Sequence, residues 1–471
     1  MLSKRQSGER SYEGAKTGRV LWNATSSSAN KEIGGALVKL RDRSRSLVRD
    51  NPYASKAINS LTHNSIGTGF MLKLPKEILP HWKNWTEYAD ADGQLDYYGL
   101  QGLIARTAYE SGSCLVRLRQ RLPEDKFEIP LQLQVLEPDY LDLGKHSNLS
   151  NGGWIWGGIE FDSIGRRAAY WLFPEHPGEV SAFRNKNLIS KRIPAEFVQH
   201  IYEKTRPGQA HGVPRLAASM LRFRDLGDFE EAELVRKGYE ACFMAIVMGK
   251  DGSKTLGQSQ VDPNSGKRTE TITAGMIAYI DDAQDVRFGQ PSPMGGYGEY
   301  TVSHLHAIAA GAGCTYQQMT GDLSSVNLSS IRAGLIEYRR SVEVFQWLTF
   351  VPMHGNPIFR AWEKYARIAG KIKMKSKDPI VPVWTPPKWD WVDPVKEVAA
   401  TRDEIAGGLV SLSEKLRARG YDPQEVFTEI GTDVQSLAKL SGIPEEIVFQ
   451  IMFQSGKVLQ SGNASPSNPT E

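Results

Sequence analysis

The chain has 471 residues, with 57 Lys and Arg against 54 Asp and Glu, a formal net charge of +3. That length exceeds one compact core, so two or more domains are expected. Hydrophobic residues at 40% and charged residues at 24% exclude a disordered chain.

Three cysteines (Cys114, Cys242 and Cys314), none in a C-x-x-C pair, exclude a disulfide scaffold and read as buried thiols in a reducing compartment. No apolar run reaches about 18 residues, so no helical membrane span is expected. Met1–Arg5 have no apolar stretch behind their charges and do not read as a signal peptide. The small total charge hides an asymmetry. Residues 1–50 carry 11 Lys/Arg and 5 Asp/Glu, whereas residues 378–471 carry 8 and 14. Between them lies a basic cluster, Arg360, Lys364, Arg367, Lys371, Lys373, Lys375 and Lys377, opposed only by Glu363. Its charges alone read either as a solvated helix end or as contact with a polyanion.

In chain order, the first 30 residues are polar and read as a mobile arm. A helix is predicted over about 32–49, and Asn51-Pro52 supplies a cap and a first-turn proline for a second helix ending before Gly67. A third helix is predicted over about Tyr98–Ser111. The period then changes to two. Ser113–Arg121, Leu131–Leu136, Trp154–Phe161, Ala168–Phe173 and Glu196–Tyr202 read as strands, with an Asp162-x-x-Gly165 hairpin turn. Residues 51–205 therefore read as an α+β domain with a mainly antiparallel sheet.

Pro214 opens a long predicted helix over 214–244, roughly 46 Å if unbroken. Its polar face is crowded with charge, and it reads either as an exposed helix or as one packed between copies of itself. Residues 249–299 read as a small β-containing insertion, with strands at Met276–Ile280 and Val286–Phe288. An alanine-rich helix follows at Tyr300–Ala312, then a polar loop over 313–326. Asn327, Ser329 or Ser330 caps a helix whose seam is Ile331, Leu335, Tyr338, Val342 and Phe345. Pro352 and Pro357 are expected to interrupt it before a helix over about 358–369. Val381–Trp384 reads as a strand, the chain from Val395 through Leu416, Pro423–Ile430 and Pro444–Met452 as helical, and 461–471 as a disordered tail.

The common catalytic signatures are missing. Every Gly-Lys pair is followed by the wrong residue for a phosphate loop. No H-E-x-x-H or G-x-S-x-G occurs. His304 and His306 fall on different faces of a helix and make a poor metal pair. No catalytic residue, metal site or cofactor is expected.

One ordered series of short motifs remains. It runs Arg49-Asp50-Asn51-Pro52-Tyr53-Ala54, Asn64-Ser65-Ile66-Gly67-Thr68-Gly69, Trp82–Trp85, Asp92-x-x-Leu95-Asp96 and Leu133-x-Val135-Leu136-Glu137-Pro138-Asp139. Gly158-Ile159-Glu160, Asp162, Gly165-Arg166, His176-Pro177 and the run Arg206–Pro214 continue it. Thr320-Gly321-Asp322, Asn327-x-Ser329-Ser330-x-Arg332 and Trp391-Val392-Asp393-Pro394-x-Lys396-Glu397 complete it. In this order, over roughly residues 35–430, the sequence resembles the lambda-like family of tailed-bacteriophage portal proteins. It departs from that family at His211, usually Arg, and at Leu328, usually Tyr.

The resemblance implies an α+β fold with wing, long α-helical stem, small β-containing clip and α-helical crown, assembled as a ring with a central channel. It divides the chain into a basic arm and helix (1–50), wing (51–212), first stem helix (213–248), clip (249–299) and second stem helix (300–313). A tunnel loop (314–328), tunnel and wing helices with a return strand (329–394), crown (395–460) and tail (461–471) follow. It implies a homo-oligomer, usually of 12 subunits, at the capsid portal vertex of the virion, assembled in the host cytoplasm.

The implied partners are double-stranded DNA, the terminase large subunit, head-completion or adaptor proteins, and the major capsid and scaffolding proteins, with no membrane. On this reading Asp225, Asp228, Glu230, Glu231 and Glu233 line the DNA channel. Gln317, Gln318, Ser324, Ser325 and Asn327 form the tunnel loop. Arg360, Lys364, Arg367, Lys371 and Lys373 would meet DNA or acidic neighbours such as residues 378–471. The alternatives are a head–tail connector or adaptor with no channel role, and, against the missing phosphate loop, the packaging ATPase.

Overall fold

The computed structural model describes residues 26–179, 188–241, 296–324, 327–372, 380–387, 389, 394–419, 421 and 423–458, and five short strands within 245–288. The expected arm up to residue 25, the tail from 461, most of the 249–299 insertion, Cys242, Ser325, Lys373, Lys375 and Lys377 lie outside the described residues.

The single helix predicted over 32–49 is two, α1 (Ala29–Gly34) and α2 (Leu37–Asp50), because Gly34-Gly35 breaks the run. α3 (Pro52–Ile66) starts as predicted. The Asn51 side chain accepts from the Tyr53 and Ala54 N–H groups, 3.0 Å each, and Pro52 occupies the first turn. β1 (Met71–Lys73) and α4 (Leu79–Glu87) were not foreseen. α4 buries Trp82 and Trp85, three apart on one face. α5 (Tyr97–Ser111) is capped by Asp96, whose Oδ1 accepts from the Gly99 N–H at 2.7 Å.

β2 (Cys114–Gln120) and β3 (Leu131–Leu136) pair antiparallel, with Val116 opposite Val135. A second sheet is a meander of β4 (Ser147–Asn148), β5 (Trp154–Trp156), β6 (Ile159–Phe161), β7 (Arg167–Leu172) and β8 (Lys191–Pro194). The strand predicted over 154–161 is a hairpin. Gly157 and Gly158, at φ +55° and +79°, form the two-residue turn that only left-handed residues allow. β9 (Val198–Ile201) closes the first sheet beside β2, giving the order β3-β2-β9.

The long helix predicted over 214–244 begins later. Residues Arg215–Ala218 form a 3-10 turn, and α6 runs Met220–Ala241, 22 residues or roughly 33 Å. The insertion holds β10 (Ala245–Gly249), β11 (Gln258–Val261), β12 (Arg268–Thr271), β13 (Ile277–Ala278) and β14 (Ala283–Phe288). α7 (Tyr297–Ala312) returns and packs on α6. The predicted polar loop contains the short helix α8 (Tyr316–Thr320), which buries Tyr316 and Met319.

α9 (Leu328–Phe345) buries Tyr338, Val342 and Phe345 of its predicted seam, while Ile331 and Leu335 are half-buried. Pro352 does not interrupt the chain there. Residues Gln346–Gly355 continue as a π-helix, whose wider turn relieves the clash a proline ring makes in an α-helix. α10 (Asn356–Ile368) follows, with Pro357 in its first turn. β15 (Val383–Thr385), predicted as a strand, pairs antiparallel with β1. α11 (Pro394–Ala406), α12 (Leu412–Ala418), α13 (Pro423–Ser441) and α14 (Glu445–Val458) form the helical C-terminal part, α13 packing on α12 and α14.

Two cores result. The larger joins α3, α4, α5, β2, β3, the π-helix and α10 around Trp82, whose ring meets Trp85, Tyr97, Phe359, Trp362 and Trp384 at centroid distances of 5.0–6.2 Å. The smaller fills the space between the two sheets with Leu115, Leu136, Ile159, Tyr170 and Val198. Cys114 and Cys314 are buried, as expected for structural thiols. Burial pushes both up, Cys314 to about 11. Among the described residues no helix is long and apolar enough to cross a membrane.

Candidate functional site

Small residues bring α6 and α7 together. The Ser219 hydroxyl donates to the Ile308 carbonyl at 3.0 Å, and a Cβ at Gly311 would overlap the Ser219 hydroxyl. Ala309 and Ala312 are buried on the same side. Arg215 donates through Nε to the Ala312 carbonyl at 3.0 Å, which satisfies a free helix-end acceptor, and its Nη1 pairs with Glu203 at 3.0 Å. Further along, Phe229 meets Tyr297 and Tyr300 at 5.8 and 4.3 Å. The inner face of α6 is therefore Met220, Phe223, Leu226 and Phe229.

The five predicted acids on α6 do not share one face. Asp225, Asp228 and Glu231 recur every three residues on the outward side and are exposed, beside exposed Leu221 and Val235. Glu230 and Glu233 lie seven residues beyond Phe223 and Leu226, on the inner stripe of the helix, and are half-buried. Glu233 accepts two bonds from Arg236, 2.8 Å from Nε and 2.5 Å from Nη2, and this pairing holds its carboxyl below the usual range. Asp228 has a long contact with Arg224, 3.6 Å. Asp225, Glu230 and Glu231 have no ion pair among the described residues.

The predicted polar loop is more ordered than a loop reading allows. The Thr315 hydroxyl accepts from the Gln318 N–H at 3.2 Å, and the Gln318 side chain accepts from the Thr315 N–H at 3.0 Å, a capping box for α8. Gln318 thus has a local task, whereas Gln317 is half-buried with no side-chain bond among the described residues. Asp322 accepts from the Ser324 N–H at 2.9 Å and from the Tyr316 hydroxyl at 3.1 Å. Its carboxyl is held low by those bonds, the Ser324 ones first. Asn327 is the cap that α9 needs, accepting from the Ser330 N–H at 2.9 Å.

The basic cluster separates into two parts. Arg367 pairs with Glu363 at 2.6 Å, and Lys371 with Glu128 at 3.2 Å. Arg360 and Lys364 are exposed on α10 and line a cleft of about 840 Å³ between α10 and the two sheets. The inner wall carries Arg167, one residue before the strand predicted over Ala168–Phe173, which the sequence reading did not single out. Its guanidinium donates to the hydroxyls of Tyr170 and Tyr202 at 2.9 and 2.6 Å and to the Ala210 carbonyl at 2.9 Å. It lies 2.9 Å from His200 Nδ1. Burial, then the Arg167 and His211 charges, keep His200 far below its ordinary pKa, so it accepts from Arg167 as a neutral ring. No carboxylate pairs with Arg167 among the described residues.

A second cluster went unforeseen although its residues belong to quoted motifs. Glu137, Asp139 and His176 place ligand atoms within 4.8 Å of one another. Arg41 and Arg45 already reach Asp139 at 3.0 and 2.6 Å, so two guanidiniums supply the positive charge that a metal ion would bring. Burial alone would raise Asp139, but the Arg45 hydrogen bond and the charges of Arg41 and Arg45 hold it below the usual carboxylate range. The arrangement locks α2 to the β3 end. His304 and His306 stack separately, on Tyr300 at 4.2 Å and Tyr316 at 4.3 Å.

The comparisons agree with the sequence motifs. The chain is 25% identical over 466 residues to the "Probable portal protein" of Halomonas phage phiHAP-1, covering 92% of this chain and 85% of that one. It is 21% identical over 475 residues to "Portal protein B" of Escherichia phage lambda, covering 87% and 85%. A solved chain from the virion of a native gene transfer agent particle is 16% identical with a TM-score of 0.46, over 87% of this chain and 97% of that one. The family model for "Phage portal protein, lambda family" matches residues 16–346. The chain therefore belongs to the lambda family of phage portal proteins.

Proposed function

We propose that this chain assembles as a ring of twelve subunits at one capsid vertex, and that double-stranded DNA enters and later leaves through the central channel. The observation that carries this reading is the family match over residues 16–346. In it, residues 51–212 are the wing, α6 and α7 the stem, 249–299 the clip, 314–328 the tunnel loop and 395–460 the crown. The clip is the docking surface for the terminase motor and later for head-completion proteins. No catalytic residue or cofactor is assigned.

Electrostatics supports the channel reading. A conduit for a moving polyanion must not hold it, since each persistent phosphate contact adds affinity and friction. The acids exposed on the outward face of α6, Asp225, Asp228 and Glu231, repeated around a ring, would repel DNA from the wall. The loop residues Gln317, Ser324 and Asn327 bring no cation. The test is head assembly with and without this chain, followed by terminase-driven packaging and nuclease challenge. Heads lacking the chain should protect no DNA, and heads carrying Asn327→Lys in every subunit should stall. Full protection in both arms would contradict the reading.

A further inference from the structure

The cleft behind Arg360 and Lys364 is mainly cationic in its charged lining. Four cations line it, Arg167, Lys204, Arg360 and Lys364, against one acid, Glu196. None of the four has a carboxylate partner among the described residues. Arg360 and Lys364 stand four residues apart on one face of α10, both exposed. The cleft holds about 840 Å³, too little to enclose a duplex whose major groove alone is about 12 Å wide. Its volume falls within the range that takes a small ligand or a few side chains.

The complementary surface is on the same chain. Glu425, Glu429 and Asp433 recur every four residues along α13, so they form one stripe, and all three are exposed. They carry no ion pair among the described residues. α13 packs on α12 and α14, and among the described residues none of its side chains lines the cleft.

We propose that the acid stripe of α13 docks at the Arg360–Lys364 cleft of a neighbouring copy. The contact rests on the ring reading above and sharpens it. It assigns the basic residues of α10 to subunit–subunit pairing instead of DNA contact, with the matched four-residue spacing setting register. Arg167, already saturated by neutral acceptors, supplies a fixed positive field behind the contact.

The test is charge reversal on the full chain, read as the fraction of rings by native mass spectrometry and negative-stain imaging. Arg360→Glu with Lys364→Glu, or Glu425→Lys with Glu429→Lys, should each lower the ring fraction by about fivefold or more near 0.15 M salt. All four changes together should restore it. Circular dichroism melts of each variant separate misfolding from lost docking. Unaltered rings in the single-surface variants, or no rescue in the combination, would overturn the proposal. So would intact rings of the Arg360→Glu, Lys364→Glu variant that lose retention of a short duplex, which would make the cleft a DNA contact. If the wild-type chain forms no ring at all, the ring reading itself fails, and this contact with it.

Discussion

The side-chain amide of Gln346 donates to the carbonyl oxygen of Ser65 at 2.7 Å, across 281 residues of sequence. Ser65 lies in the last turn of α3, where helix carbonyls have no partner of their own. Gln346 opens the π-helix, and both residues are buried. One hydrogen bond thus ties the first helical layer to the return helices. Gln346→Leu should leave that carbonyl unsatisfied and cost about 1–3 kcal/mol. Chemical denaturation of the variant checks this, and an unchanged midpoint would show that the bond contributes nothing.

Gly212 sits against Gly112 where the chain after β9 turns into the 3-10 segment before α6. A Cβ at Gly212 would overlap the Gly112 carbonyl oxygen and lie 2.6 Å from the Tyr202 Cβ. Backbone cannot yield as a flexible side chain does, so Gly212→Ala should lower stability by about 3 kcal/mol or more. Gly208→Ala is the control for space, because nothing lies within 4 Å there. Its φ of +75° should cost only about 1 kcal/mol. Thermal unfolding of the two variants gives the comparison.

These two contacts show what could be read from sequence and what could not. The Asn51-Pro52 start of α3, the strand positions of β2 and β3 and the inner end of the α9 seam are local patterns that the structure follows, whereas the alternation of β2 and β3 is lost because both strands are buried on two faces between the cores. α4 was missed because nine residues with Pro80 in the first turn give too short a periodic signal. The Gly157-Gly158 turn was read as strand because apolar residues flank it on both sides. Pro352 was read as a break because a π-turn leaves no separate mark in composition. The candidate site was legible only as residue types. That Arg360 and Lys364 share a cleft with Arg167 depends on packing between strands and a helix nearly 200 residues apart.

Three buried imidazoles make stability depend on pH. Burial first, then the Arg167 and Arg41 charges, bring His211 down to about 3, and burial alone brings His354 to about 3. His200 is also held far below its usual value. Unfolded histidine titrates near 6.5, so between about pH 6.5 and 3 the unfolded chain binds more protons. The stability these neutral rings allow is complete above about pH 6.5 and is lost as pH falls toward 3, by about 1.4 kcal/mol per unit for each ring. His354→Gln should flatten the slope of stability between pH 6.5 and 4 by roughly a third. Melting curves across that range test it, and an unchanged slope would show that His354 does not contribute.

Asp139 governs a more acidic limb. Its lowered carboxyl gives stability that is present above the unfolded value, about 3.9, and lost as pH falls through the lower folded one. Asp139→Asn removes that limb. It also leaves Arg41, whose side chain is 6% exposed, without its charge partner, at a cost of about 3–5 kcal/mol at neutral pH. Arg41→Met in the same background should recover part of the loss, because the stranded charge is then gone. A double-mutant cycle by denaturation measures both.

The central claim is that the chain closes into a ring around a channel. Negative-stain images of the purified full-length chain test it most directly. The account predicts closed rings with an axial hole wide enough for a duplex, about 20 Å or more across. Monomers only, closed shells, or rings without an axial opening would contradict it.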